Sequence, residues 1–183
     1  MTPARDVRYR ECGAADLPAL VPLVARVFRE EFDTPADDAF TREAEAAALI
    51  FDARRDLCVA AEAEGRDVGV LLVLPGGGSG EAAVFTWLAV EGAVRGSGIG
   101  RELLFRGIEA CRQRGRNLLR AYSYAVSPAA CRLYWLYGFG VAGLFALDGV
   151  VDFLAVDRDI RRSLNAQADL VPPDIDDGHD DII

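Results

Sequence analysis

The residues best suited to chemistry lie in one short segment, Arg95-Gly96-Ser97-Gly98-Ile99-Gly100. This segment follows the apolar run 84–90, which is typical of a buried strand, and it opens the amphipathic run 99–111, which is typical of a helix. Glycines permit a tight turn that exposes backbone N–H groups, and the first N–H groups of a helix lack partners within that helix. Because the helix dipole also favours negative charge at this end, the segment predicts a site for a phosphate or a pyrophosphate.

Two common phosphate-binding motifs do not fit this segment. The dinucleotide motif G-x-G-x-x-G requires a glycine at position 101, which is Arg, and an acidic residue near position 120, where the chain has none. The nucleotide P-loop requires a lysine, and the chain contains no lysine. A third pattern does fit, because Arg/Gln-x-x-Gly-x-Gly/Ala after a strand resembles the coenzyme A loop of the GNAT N-acetyltransferase superfamily.

A second segment, from Ser127 to Phe139, resembles the later signature of the same superfamily, Asn-x-x-Ala-x-x-x-Tyr-x-x-x-Gly-Phe. Ala130, Tyr134, Gly138 and Phe139 match this signature in register, whereas Ser127 stands where Asn is usual. One predicted helix and one predicted strand separate the two signatures. Two spaced signatures in this order are more specific than either one alone, and the resemblance covers residues 82–140.

The pattern of apolar residues and turn signals predicts one α/β domain over residues 1–162 and an acidic tail over residues 163–183. The predicted order of elements is β-α-α-β-β-β-α-β-α-β-β. These elements fall at residues 7–10, 16–32, 34–51, 57–62, 68–74, 82–90, 98–114, 118–126, 127–138, 141–147 and 150–156. The resemblance implies the same order, in a mixed and mostly antiparallel sheet of six to seven strands flanked by about four helices.

Composition and charge exclude several classes of function. The formal net charge is −9, and the tail holds six carboxylates and no arginine, so residues 1–162 carry −3. A mildly acidic body argues against a nucleic-acid partner. No apolar run approaches the roughly 18 residues of a membrane span, and the first residues contain no apolar signal core, so we expect a cytoplasmic protein. The four cysteines form no C-x-x-C pair and no metal-ligand cluster is present, which predicts neither a disulfide framework nor a metal site.

The resemblance implies an acetyl-CoA-dependent N-acyltransferase. Such an enzyme would transfer the acetyl group to a primary amine of a small molecule or peptide by direct attack in a ternary complex. The resemblance also implies that the glycine-rich turn holds the pyrophosphate through its backbone, and that the end of the preceding strand pairs with the pantetheine arm. The implied cofactor-binding residues are Leu88, Ala89, Val90, Arg95, Gly96, Ser97, Gly98, Ile99, Gly100, Arg101 and Ser127.

Tyr134 is the candidate general acid. A phenol with an unperturbed pKa near about 10 is protonated at neutral pH, so it can donate a proton to a thiolate leaving group. Packing of the helix against the sheet is the alternative role for Tyr134, and it is the expected role for Tyr137. Ser127 either caps this helix alone or also contacts the cofactor.

The sequence leaves the general base open. The one histidine, His179, lies in the tail, so the candidates are the carboxylates Glu30, Glu31, Asp33, Glu81 and Glu91. The acidic segment 29–38 would suit a cationic amine if it borders the acceptor pocket, although such a run is often a solvated surface. The alternatives for the whole protein are an acyl-CoA sensor without catalysis on the same fold and another phosphate-binding or nucleotide-binding module. A homodimer is also left open.

Overall fold

The structure is a computed structural model, and it describes residues 6–32, 39–76, 82–116, 118–124, 128–147 and 151–159. Its elements follow the predicted order. They are β1 (Arg8–Glu11), α1 (Leu17–Phe32), α2 (Ala39–Ile50), β2 (Leu57–Ala63), β3 (Arg66–Pro75), β4 (Ala82–Val90), α3 (Ile99–Gln113), β5 (Leu118–Tyr124), α4 (Pro128–Leu136), β6 (Gly140–Leu147) and β7 (Val151–Asp159). A short 3₁₀ turn, Gly92–Val94, lies between β4 and α3.

The seven strands form one sheet in the order β1-β2-β3-β4-β5-β7-β6. Every neighbouring pair in this order is antiparallel except β4 and β5, which are parallel. The exception arises because α3 carries the chain from the end of β4 back to the beginning of β5, as a parallel pair requires. The predicted mixed and mostly antiparallel sheet is therefore confirmed, at the upper end of the expected number of strands.

Helices cover both faces of the sheet. The apolar stripes of α1 and α2 pack on one face, where Trp87 and Ala89 of β4 are also buried. The buried residues of α3 and α4 pack on the opposite face together with Phe85. α3 lies very close to the sheet at Gly107, since a Cβ added there would lie 2.3 Å from Cδ2 of Leu71. β4 is thus held between two cores, and its last residues have a fixed direction.

An extra residue in β4, Thr86, changes which side chains face each core. In the register with β3, Leu72 faces Trp87 and the next residue, Val73, faces Phe85, so Thr86 is a β-bulge. Pairing of β4 with β5 extends from Ala82 only to Phe85 within the described residues, although β4 continues to Val90. Because a bulge bends its strand, it accounts for the separation of β4 from β5 at this point.

Several predictions fall outside the described residues. They concern Ser127, the predicted helix start at Thr34-Pro35, the predicted turn at Asp148-Gly149 and the tail from residue 163, so the domain boundary at residue 162 stays a prediction. None of the helices in the described ranges is both long enough and apolar enough to cross a membrane. All four cysteines are free and buried.

Candidate functional site

The glycine-rich segment forms an exposed turn between β4 and α3. Gly96 and Gly98 adopt left-handed φ angles of +76° and +87°, and Gly98 is the N-cap residue of α3. A Cβ added at either glycine would meet no atom within 4 Å. These two glycines are therefore needed for their backbone conformation and not for close packing. This is the strand, turn and helix start that the sequence predicts.

The turn leaves backbone N–H groups without partners in the helix. The first helical hydrogen bond runs from the N–H of Glu102 to the carbonyl of Gly98 at 3.0 Å, so the N–H groups of Ile99, Gly100 and Arg101 stand before it. The N-cap residue, Gly98, has no side chain with which to cap this end of α3. The hydroxyl of Ser97, the residue before it, donates to the carbonyl of Val94 at 2.6 Å. The end of α3 thus presents several donors and a positive dipole in one place.

The end of β4 presents a second row of backbone groups. Glu91 donates its N–H to the carbonyl of Val68 at 2.9 Å, which fixes the backbone groups that face β3. Since these groups alternate along an antiparallel strand, those of Ala89 also face β3, while those of Leu88 and Val90 face the opposite edge. Within the described residues β5 does not pair with this part of the edge. Leu88 and Val90 are therefore the residues that could extend the sheet to an elongated ligand.

Arg95 connects this edge to the end of α1. Its Nε donates to the carbonyl of Val90 at 3.1 Å, and its Nη1 lies 2.7 Å from Oε2 of Glu31. Both side chains retain solvent exposure, so the ion pair is a weak one. The guanidinium thus lies along the edge of β4, where Glu31 would compete with a phosphate in the turn for it.

α4 lies against the beginning of α3 and the end of β4. A Cβ added at Gly100 would lie 3.7 Å both from Cδ2 of Leu133 and from Cγ2 of Val90. Tyr137 of α4 is buried and donates its hydroxyl hydrogen to the carbonyl of Arg101 at 3.2 Å. The two sequence signatures therefore meet at Gly100. Tyr137, for which the sequence favours a packing role, also fixes the first turn of α3.

Tyr134 follows Leu133 on the same helix and is only 4% exposed. Its ring packs against that of Phe139, with the ring centres 5.3 Å apart. Burial raises the pKa of Tyr134 above the usual value of 10.0, and the neighbouring Cys131 raises it further. Its hydroxyl makes no hydrogen bond to another residue in the described part of the chain. Tyr134 therefore combines a packed ring with a hydroxyl that stays protonated.

The carboxylate candidates for the base differ in their surroundings. Glu91 accepts hydrogen bonds from both Arg26 and Arg66 and is largely buried, so taking a proton would break two ion pairs. Glu31 is paired with Arg95. Glu30 is exposed, and its Oε2 lies 3.6 Å from the position of a Cβ added at Gly92, just after β4. Asp33 and Glu81 lie outside the described residues.

Sequence reasoning missed three features of this site. The bulge at Thr86 has no signal in residue types, because any residue fits a bulge in which φ is negative. The hydrogen bond from Tyr137 to the first turn of α3 joins segments far apart in the chain. The ion pairs of Glu91 with Arg26 and Arg66 join three elements. No group of residues able to hold a metal ion occurs in the described ranges.

The fold and the two signatures place the chain among known proteins. The family model of the acetyltransferase (GNAT) family matches residues 17–139, which is more than half of the chain. The chain therefore belongs to the GNAT acetyltransferase family. No curated protein sequence matches the chain significantly.

Solved structures share this fold over most of their length. A ribosomal-protein-alanine N-acetyltransferase from Brucella melitensis is 25% identical, with a TM-score of 0.66 over 83% of this chain and 99% of that chain. An N-acetyltransferase from Staphylococcus aureus Mu50 is 19% identical, with a TM-score of 0.68 over 85% of this chain and 99% of that one. A proposed acetyltransferase from Salmonella typhimurium, solved with its cofactor acetyl-CoA, is 21% identical, with a TM-score of 0.65 over 85% and 94% of the two chains. The last two likenesses concern the fold alone.

Proposed function

We propose that the protein is an N-acetyltransferase that transfers the acetyl group of acetyl-CoA to a primary amine of a small molecule or peptide. One observation carries the proposal. The glycine-rich start of α3 lies beside the end of β4, along an edge with which β5 does not pair in the described ranges. The first suits a pyrophosphate and the second suits an extended amide-containing arm, and coenzyme A contains both in that order.

In this proposal the backbone holds the cosubstrate. The N–H groups from Gly96 to Arg101 donate to the pyrophosphate, the edge groups of Leu88 pair with the pantetheine arm, and the edge N–H of Val90 faces the thioester end of that arm. The groups of Ala89 face β3, so Ala89 contributes only by fixing the strand. Arg101 is exposed at the turn and adds positive charge, and Arg95 adds more once it has left Glu31. Ser127, at the start of the α4 segment, stays a proposed contact.

The chemistry proposed is a direct displacement. The amine nitrogen attacks the thioester carbonyl, the bond to nitrogen forms, and the bond from carbon to sulfur breaks. In this proposal the edge N–H of Val90 donates to the carbonyl oxygen as negative charge develops on it. Tyr134 gives its proton to the departing thiolate, and its raised pKa keeps it in the protonated form that this role requires. The amine loses its proton to Glu30 or to a water molecule.

The carboxylates at the end of α1 favour a cationic acceptor. Glu30 is exposed near Gly92, and Glu31 lies close by on the edge side through its contact with Arg95. Opposite charges across a site favour binding of the matching partner. Changing Glu30, Glu31 and Asp33 together to amides is therefore expected to raise the KM of a polyamine or peptide amine. An unchanged KM would remove the cationic acceptor from the proposal. The cytoplasmic location stays a prediction of the sequence.

One observation favours a second candidate, an acyl-CoA sensor without catalysis. Two of the three described candidate bases, Glu31 and Glu91, are already engaged by arginines. A sensor would bind acetyl-CoA through the same turn and the same edge but would release no thiol. Turnover therefore separates the two candidates, and binding does not.

The experiment is thiol release from acetyl-CoA with a panel of primary amines, for the wild type and two tyrosine variants. Tyr134→Phe is expected to lower kcat by about tenfold or more with little change in the Kd of CoA, because it removes only a proton donor. Tyr9→Phe is the matched control, because it removes a phenol hydroxyl on β1. Its ring lies under Arg106, two turns along α3 from the turn. Unchanged turnover in Tyr134→Phe would show that Tyr134 only packs the helix and is not the general acid. Binding of acetyl-CoA without turnover for every amine would favour the sensor.

A further inference from the structure

Two cysteines face each other at the edge of the sheet, away from the turn. The last pair in the register of β1 and β2 joins Glu11 to Val59, so Cys12 and Cys58 are the next pair along. The N–H of Cys12 donates to the carbonyl of Cys58 at 2.9 Å, which confirms that the pairing continues. Facing residues of antiparallel strands have Cα atoms about 4.5–5.5 Å apart, and a disulfide spans about 4.4–6.8 Å.

The two side chains also point to the same side of the sheet. Both belong to the core under α1 and α2, with Cys12 6% exposed and Cys58 1% exposed. Each thiol shifts the pKa of the other. A bond between the two sulfurs would thus require no strand to slide and no side chain to cross the sheet.

A fixed cation lies beside one of these thiols. Nη1 of Arg10 is 3.2 Å from Sγ of Cys12, and the same guanidinium is held by Asp67 at 2.9 Å and by Asp16 at 3.4 Å. Interaction with the Cys58 thiol lowers the pKa of Cys12, and Arg10 lowers it further against the effects of burial and of Asp16. Interaction with Cys12 and burial raise the pKa of Cys58.

The other cysteines lie elsewhere in the fold. Burial raises the pKa of Cys111 to about 12, and Cys111 lies in the opposite core beneath α3. Cys131 lies on α4 and is also buried. A thiolate is the form of cysteine that reacts with oxidants, so reactivity should differ sharply between Cys12 and Cys111.

We propose that Cys12 and Cys58 form a modification site that hydrogen peroxide converts into a disulfide. The thiolate of Cys12 attacks one peroxide oxygen, the O–O bond breaks, and the oxygen that leaves takes up a proton as water. Cys12 is then a sulfenic acid. The sulfur of Cys58 attacks the sulfur of Cys12, the S–O bond breaks, and a second water leaves with the thiol proton of Cys58. Two thiols are oxidised and one peroxide is reduced to two waters.

The new bond would affect the part of the molecule that is proposed to bind the amine acceptor. It would close a covalent loop from residue 12 to residue 58, which contains all of α1 and α2. The first of these helices, α1, carries Glu30 and Glu31, the carboxylates near the end of β4. Oxidation would therefore tether this pair of helices to the sheet without touching the turn that is proposed to hold acetyl-CoA.

The test treats the reduced, folded protein with hydrogen peroxide, alkylates the remaining thiols and maps peptides by mass spectrometry. The expected product has lost two hydrogen atoms and contains a linked peptide with Cys12 and Cys58, while Cys111 and Cys131 are alkylated. The same linkage is expected in the Cys111→Ser, Cys131→Ser double variant. In Cys58→Ser the intermediate cannot resolve, so dimedone should label Cys12. Four alkylated thiols in the treated wild type would overturn the proposal, as would linkage or dimedone labelling at Cys111 or Cys131.

Discussion

Replacing Gly98 by alanine tests the turn most sharply, because the cost can be worked out from its backbone. Gly98 has a φ of +87°, and an added Cβ would meet no atom within 4 Å. The substitution therefore introduces no clash, and its cost is that of placing an L-residue in the left-handed region, about 1–2 kcal/mol. If the turn keeps its shape, the folded protein loses this amount of stability. If the turn relaxes in the free protein, CoA binding must restore its shape, and the free energy of binding becomes less favourable by the same amount.

The two effects are measured on the same sample. A loss borne by folding lowers Tm by about 2–8 °C for a chain of this size. If binding bears the cost, the Kd of CoA rises by about 5–30-fold, because each 1.4 kcal/mol changes Kd by about tenfold. Calorimetric titration with CoA and urea unfolding give the two terms, and their sum should be about 1–2 kcal/mol.

Gly100→Ala is the matched control two residues away. Gly100 lies in the first turn of α3, and its added Cβ would make ordinary contacts of 3.7 Å with Leu133 and Val90. Alanine is the better helix former by up to about 1 kcal/mol, so this variant should be at least as stable as the wild type. Its CoA affinity should change little, since the matching position of the coenzyme A loop accepts Gly or Ala. Equal stability and equal affinity in Gly98→Ala and the wild type would refute the left-handed turn as the basis of the site.

Three further variants probe the surroundings. Tyr137→Phe removes a 3.2 Å hydrogen bond to the first turn of α3, so CoA titration should show a loss of about 1 kcal/mol in binding free energy. Unchanged affinity would show that this hydrogen bond does not support CoA binding. Glu31→Gln removes an exposed ion pair of Arg95 worth at most about 1 kcal/mol, so the affinity for CoA at low salt should rise by up to about fivefold. A lower affinity would contradict the proposal that Arg95, once free of Glu31, attracts the phosphates. Gly107→Ala places a Cβ 2.3 Å from Leu71 Cδ2, so urea unfolding should show a loss of about 1–3 kcal/mol, and no loss would argue against the close approach of α3.

The elements of the fold were readable from local signals. Helical spacing of apolar residues in α1 and α3, and runs of apolar residues in β3 and β4, predict the elements that the structure contains. The glycines at positions 96 and 98 predict a turn because their types carry the backbone requirement directly. The left-handed angles at both positions show that this inference was sound.

The direction of the site's side chains could not be read in the same way. Arg95 was expected beside a phosphate, but its contacts with Glu31 and Val90 depend on how α1 crosses the sheet. Glu91 was a candidate base until two arginines from other elements were found on its carboxylate. Tertiary position decides such pairings, and a single sequence holds no signal for it. Charge type can be predicted from the sequence, whereas the partner of each charge cannot.

The measurement that bears most directly on the account follows the backbone amide signals by NMR while CoA is added. The N–H groups at the start of α3 are proposed to donate to the pyrophosphate, so the amides of Gly96, Gly98 and Gly100 should move strongly and saturate together. The amide of Gly115, which donates to the carbonyl of Arg112 at the far end of α3, should stay in place. Saturation with CoA that leaves the three turn amides unmoved, or no binding at millimolar CoA, would contradict the central claim.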